Sequence, residues 1–252
     1  MGEVLVVLVL ASLTALATGL GAVPFAFVSR ISSAVEARAN ALAAGLMLGA
    51  SFGLAAEGTH RGGWQTMAGA VGGVLFILLV HRLLDRHRFS FETAKSVPGE
   101  AAGGSAAAAK RALLVLIVMT AHSAAEGVAV GVGFGGGETL ALAITVAIAV
   151  HNIPEGLAIS AVLRSQGVSL VRCAGWSVFS SLPQPLLAVP AFLFVELFQA
   201  TLPYGLGFAA GAMAFLVLQE LLPEAYGNAP ARAVSLFVTV SLVLMVLFQR
   251  SL

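Results

Sequence analysis

Long apolar runs, interrupted by short polar or glycine-rich intervals, recur from one end of the chain to the other, at 4–28, 37–56, 64–84, 112–134, 139–163, 170–195, 202–222 and 231–248. Crossing roughly 30 Å of hydrocarbon takes about 20 such residues in a helix, so each run is long enough to span a bilayer. The pattern predicts an all-α polytopic membrane protein with eight transmembrane helices in a single domain over 1–252. The first run lacks a basic leader and is longer than a signal h-region, which reads as a retained span.

The connections arrange these spans. Gly135, Gly136, Gly137 and Glu138 are nearly all that separates the fourth from the fifth, which makes those two antiparallel neighbours. The one long connection, 85–111, is rich in Ala, Gly and Ser and contains Pro98. Such a composition buries too little apolar area to order itself, so a flexible cytoplasmic loop is expected. Its imidazoles, His81 and His87 near its start, read as polar residues at the membrane edge.

Charge gives the orientation. Arg30, Arg38, Arg82, Arg86, Arg88, Lys95, Lys110, Arg111, Arg164, Arg172 and Arg232 fall on one side of the eight-span pattern, against Arg61 and Arg250 on the other. Basic residues collect on the cytoplasmic side, which places both termini outside. Composition agrees: 59% of residues are hydrophobic, 10% are charged and the mean hydropathy is +0.98, well outside the range of a soluble domain. A net charge of +1 without a basic run excludes nucleic acid as a partner. Cys173 is the single cysteine, which rules out an intrachain disulfide and a thiolate metal site.

Within this apolar background two His/Glu pairs stand out. His122 and Glu126 recur as His151 and Glu155 at an offset of 29. Positions four apart share a helix face, so each helix projects one imidazole and one carboxylate together. Two helices side by side offer two nitrogens and two oxygens, a donor set suited to zinc and related dications. Ionisable groups at membrane depth are costly and mark ion handling. Two carboxylates cancel a 2+ charge, and because the imidazoles must be neutral to bind, protons compete with metal through the histidine range. The reading is a divalent metal transporter with no prosthetic group, its metal being substrate and its surroundings the lipid bilayer.

Two further patterns bear on architecture. Ala41, Gly45, Gly49 and Gly53 form a small-residue stripe in the second span, as do Gly127, Gly131 and Gly135 in the fourth. Such stripes let backbones approach closely, either as static packing or as surfaces that slide. The segment 43–47 (AAGLM) echoes 209–213 (AAGAM) in a span of opposite direction. That fits an inverted repeat, three spans on each side of a central pair in a 3+2+3 arrangement.

The runs His151-Asn152-Ile153-Pro154-Glu155-Gly156, His122-Ser123-Ala124-Ala125-Glu126-Gly127 and Glu220-Leu221-Leu222-Pro223-Glu224 resemble the Zrt/Irt-like (ZIP) metal transporters, in particular their bacterial branch. The resemblance implies a zinc importer of the bacterial inner membrane, often a homodimer, that could also take Fe2+, Mn2+ or Cd2+. It places a first metal on His122, Glu126, His151 and Glu155, and a second on Ser123, Asn152 and Gln184 with the glutamates as bridges. All three second-site residues are neutral here, where relatives carry asparagine or carboxylates. Dications bind neutral oxygens more weakly than anionic ones, so that site is expected to be weak or empty, and Ser123→Ala and Gln184→Ala to retain substantial transport.

Glu57, Glu220 and Glu224 lie near span ends, either as interfacial carboxylates or as an ion pathway in which Glu220 is the deeper member. His60 reads as a solvated loop residue. Pro154 removes an amide donor inside the fifth span, which either opens coordination space or serves packing. A membrane-embedded metal-dependent hydrolase is a rival reading, opposed by the lack of a His-Glu-x-x-His arrangement. A passive metal channel is another, which the sequence does not separate from a carrier.

Overall fold

A computed structural model describes residues 2–28, 31–86 and 105–251, and among these it is helical apart from short turns, with no strand. Helix α1 (Gly2–Leu20) leads into a 3₁₀ turn, Val23–Ala26. It is followed by α2 (Ser33–Arg86), α3 (Ser105–Gly136), α4 (Glu138–Ser165), α5 (Leu170–Ser180) and α6 (Pro183–Leu197). Helix α7 (Leu202–Leu216) continues through a π-turn, Val217–Leu221, into α8 (Leu222–Asn228), and α9 (Ala231–Ser251) ends the fold.

Seven stretches of the described residues are long and apolar enough to cross a membrane, where the apolar pattern predicts eight. The difference lies in α2, whose candidate stretch Ser33–Leu83 has 51 residues. At 1.5 Å per residue a straight helix of that length would reach about 75 Å, more than twice the hydrocarbon thickness. Its helical geometry is interrupted at Gly62 (φ 176°, ψ 99°). There the chain folds back: a Cβ on Gly58 would lie 2.7 Å from Thr66 Oγ1, although residues eight apart in a straight helix are about 12 Å apart. The second and third expected spans are thus the two halves of α2.

Proline marks two further breaks. Pro24 lies in the turn after α1, and Pro183 opens α6, where its missing N–H costs nothing. The expected sixth span is therefore two helices, with Gln184 in the first turn of the second. Of the expected cytoplasmic loop, 87–104 lie outside the described residues, while α3 already starts at Ser105.

The helices pack as two groups. One holds α1, α3, α4, α5 and α6, and the other holds α2, α7, α8 and α9; α2 meets α4 and α3 meets α7 where the groups touch. A buried core runs through that junction, including Met47, Ile144, Ile148, Leu206 and Met213. In lipid, where burial of apolar surface gives little net gain, close backbone approach carries much of the association. Gly45 lies against Val238 and Ser241, Gly49 against Met245 and Gly53 against Gln249, so the second-span stripe faces α9. Gly127 and Gly131 lie against Gln184 and Ala188 of α6. Both stripes lie inside one group, α2 with α9 and α3 with α6. Large apolar side chains such as Leu5, Leu16, Leu236 and Leu244 face outward, as a lipid-facing surface requires.

Candidate metal centre

Helices α3 and α4 are joined through Gly137, whose φ of +122° with ψ 158° belongs to a region open essentially to glycine alone. The tight reversal lays the two helices antiparallel, so the pairs His122/Glu126 and His151/Glu155 come to one depth. His122, Glu126, His151 and Glu155 are 5%, 1%, 1% and 7% exposed.

Three of the four converge. Ligand atoms of Glu126, His151 and Glu155 lie within 4.8 Å of one another, so a modest contraction brings them to the spacing of about 3.4 Å between ligands of a tetrahedral zinc. His151 Nδ1 is 3.1 Å from Glu126 Oε1 and its Nε2 is 3.8 Å from Glu155 Oε1. Neither ring nitrogen makes a well-aligned hydrogen bond, and Glu155 Oε2 has no partner. Buried polar atoms are nearly always satisfied, so an imidazole left open between two carboxylates has room for a cation. A neutral ring can donate from one nitrogen to a carboxylate and ligate with the other, a common arrangement at metal sites.

His122 faces elsewhere in this state. Its Nδ1 is 2.8 Å from the Val118 carbonyl and its Nε2 is 2.9 Å from Glu220 Oε2. The other oxygen of Glu220 lies 2.9 Å from His81 Nε2. Glu220 sits in the π-turn of the seventh span, a local widening common at functional sites. His81, expected as a membrane-edge polar residue, is bound to Glu220 instead. Nothing in local spacing flags it, because its partner is 139 residues away. His122, His151, Glu155, Glu220 and Glu224 line one cavity of about 30 Å³ that extends to Asn40 and Pro154, room for one ion or a water or two. Helix α4 runs through Pro154 as one element.

The other expected residues are placed as follows. Gln184 donates from Nε2 to Glu126 Oε2 at 2.6 Å, and its Oε1 accepts from Thr14 Oγ1 at 2.7 Å and Asn152 Nδ2 at 3.1 Å. Ser123 is buried with its hydroxyl unpartnered, as is Asn152 Oδ1. Thr14 was not anticipated; the pair Thr14 and Thr18, four apart in an apolar span, was its available signal. Glu57 is remote from the cluster: its Oε1 accepts from Arg61 Nε at 2.6 Å, while Arg61 also bonds the Gly136 carbonyl at 3.1 Å. His60 is exposed and borders the same cleft as Glu57 and Glu138. His87 lies outside the described residues.

Fold and site together define a polytopic helical membrane protein with a buried imidazole–carboxylate cluster, the class that handles cations inside the bilayer. A family profile described as ZIP zinc transporter matches residues 86–248, and the chain belongs to that family. It is 43% identical over 234 residues to a putative zinc transporter of Arabidopsis thaliana, covering 92% of this chain but 36% of the plant protein. It is 32% identical over 232 residues to the zinc transporter GufA of Myxococcus xanthus, covering 87% and 88% of the two chains. The zinc transporter ZupT of Chlorobium limicola is 30% identical over 240 residues, with 88% and 89% covered.

Proposed function

We propose that this protein carries a divalent cation, zinc first among them, into the cytoplasm through the cluster formed by Glu126, His151 and Glu155 with His122 as the fourth ligand. The observation that carries this reading is His151, 1% exposed, set between two carboxylates at 3.1 and 3.8 Å with neither nitrogen in a well-aligned hydrogen bond. The zinc-transporter names of its relatives support the choice of ion. Two carboxylates neutralise the dication, which makes its passage at membrane depth tolerable. His122, now held by Glu220 at the rim of the same cavity, turns inward to complete the ligand set. Glu220 and Glu224, which line the cavity toward the ends of α2 and α8, form the path to the cytoplasm.

The architecture proposed is eight spans in a 3+2+3 inverted repeat, counting α2 as two and each of the pairs α5–α6 and α7–α8 as one. Its support is a set of matching contacts. Gly127 seats the start of α6 as Gly156 seats the end of α1, while Gly45 meets α9 as its counterpart Gly211 meets Ala70. With the basic residues inside, both termini are extracytoplasmic. A bacterial inner-membrane location and a homodimer follow the family resemblance.

The test is radiometal uptake in proteoliposomes by the wild type beside alanine variants of His122, Glu126, His151 and Glu155. Saturable uptake, lost in each variant, is expected; uptake unaffected by all four would overturn the reading. Acid provides a second check. Because protons compete with metal for the ligating imidazoles, zinc binding to the purified protein should weaken progressively as the pH falls from 7 to 5. Binding that stays constant from pH 7 to pH 5 would contradict a histidine-based site.

A further inference from the structure

Glu126 does not stand alone in the cluster. Gln184, fully buried, donates to its Oε2 at 2.6 Å. The orientation of this amide is dictated by chemistry: a carboxylate only accepts, so nitrogen must face Glu126 and oxygen must face the donors behind it. Those donors are Thr14 Oγ1 at 2.7 Å and Asn152 Nδ2 at 3.1 Å. Thr14 shares its proton with the Ala11 carbonyl at 2.7 Å, and Asn152 Nδ2 also bonds the Thr14 carbonyl at 2.7 Å. A flipped Gln184 would set oxygen against carboxylate and amide against amide.

The backbone fixes the donor as well. Pro183 opens α6, and Gly127, the residue after Glu126, has no Cβ to hold the backbones of Pro183 and Gln184 away. The result is a hydrogen-bonded chain through α1, α4, α6 and α3 that ends on one oxygen of one ligand. Only Oε1 of Glu126 is left facing His151.

Resting on the cation-site reading above, we propose that Gln184 is a positioning residue that fixes Glu126 as a one-oxygen ligand and sets the site's capacity at one dication. The amide supplies a donor where a carboxylate would repel Glu126 or demand a second cation. This gives Gln184 a larger role than the neutral remnant expected from the sequence. Transport at saturating metal still persists without it, because it is not itself a ligand, and the loss appears in affinity.

The experiment titrates the full-length protein in detergent with Co2+ alone and follows visible absorption. The wild type should saturate at one Co2+ per chain with the intense bands of a four-coordinate ion. Gln184→Ala should raise the half-saturation concentration roughly tenfold to a hundredfold, the usual cost of losing a ligand's supporting partner. Its bands should weaken as Glu126 becomes free to bind through both oxygens. The isosteric Thr14→Val should shift affinity in the same direction by a smaller factor, and Gln184→Glu should bind a second Co2+. Ser180→Ala, which removes a buried hydroxyl bonded only to the Ser177 carbonyl, should change nothing. Wild-type affinity and spectrum in Gln184→Ala would overturn the proposal, and if that variant does not fold, the same result in Thr14→Val does so. Glu126→Ala separates the two readings: if it abolishes binding while Gln184→Ala keeps wild-type affinity and spectrum, only the positioning role fails.

Discussion

His151→Ala should abolish metal uptake and lower zinc affinity by at least about a hundredfold. Losing a partner that merely supports a ligand costs tenfold to a hundredfold at metal sites, and His151 is itself the group on which the cluster converges. Its ring separates Glu126 Oε1 from Glu155 Oε1 at 3.1 and 3.8 Å. Truncation to alanine leaves two buried carboxylates facing each other with no donor between them, an arrangement that favours protonation over metal. Uptake in proteoliposomes and a zinc titration in detergent measure the two effects. Near-normal values for both would mean that the ion is held elsewhere.

The second large effect is expected on assembly rather than on binding. A Cβ on Gly156 would collide with the Thr18 carbonyl, and one on Gly21 with the backbone of Ile153 to Leu157, so α1 and α4 cross with their main chains in contact. Gly156→Val cannot be absorbed by a flexible side chain, because the obstacle is backbone. A loss of about 3 kcal/mol is expected, the top of the usual range for overpacking. Glu155, the adjacent residue, should be displaced with the helix, so metal binding falls as well. Thermal unfolding in detergent reads the first effect, with Gly175→Val as the comparison, since nothing lies within 4 Å of a Cβ built there. Equal stability of the two variants would refute the close crossing.

The His/Glu pairs were legible in the sequence because a spacing of four converts directly into a shared helix face. The short Gly135-Gly136-Gly137 linker made the pairing of their helices legible too. The eight expected spans fall in seven long helical stretches, the second and third sharing one, but the break inside the sixth was not located. Gly62, in extended geometry, lies in the 57–63 interval that the apolar pattern leaves between the second and third, whereas Pro183 divides the sixth within its apolar run. Such breaks follow from where neighbouring helices offer partners, which hydropathy does not record. The same limit hid His81. Its bond to Glu220 depends on the π-turn at Val217–Leu221, which shifts the face of the helix relative to any regular period. Gln184 was visible as a residue in the right motif, whereas its role depends on which end of the amide meets Glu126, and that is settled by Thr14 on a distant helix.

The most direct measurement is an anomalous-difference map from crystals of the protein loaded with zinc. The account predicts one strong peak per chain, about 2.0–2.2 Å from ligand atoms of Glu126, His151 and Glu155, with His122 turned from Glu220 toward it. A peak elsewhere, with those side chains directed away from one another, would contradict it.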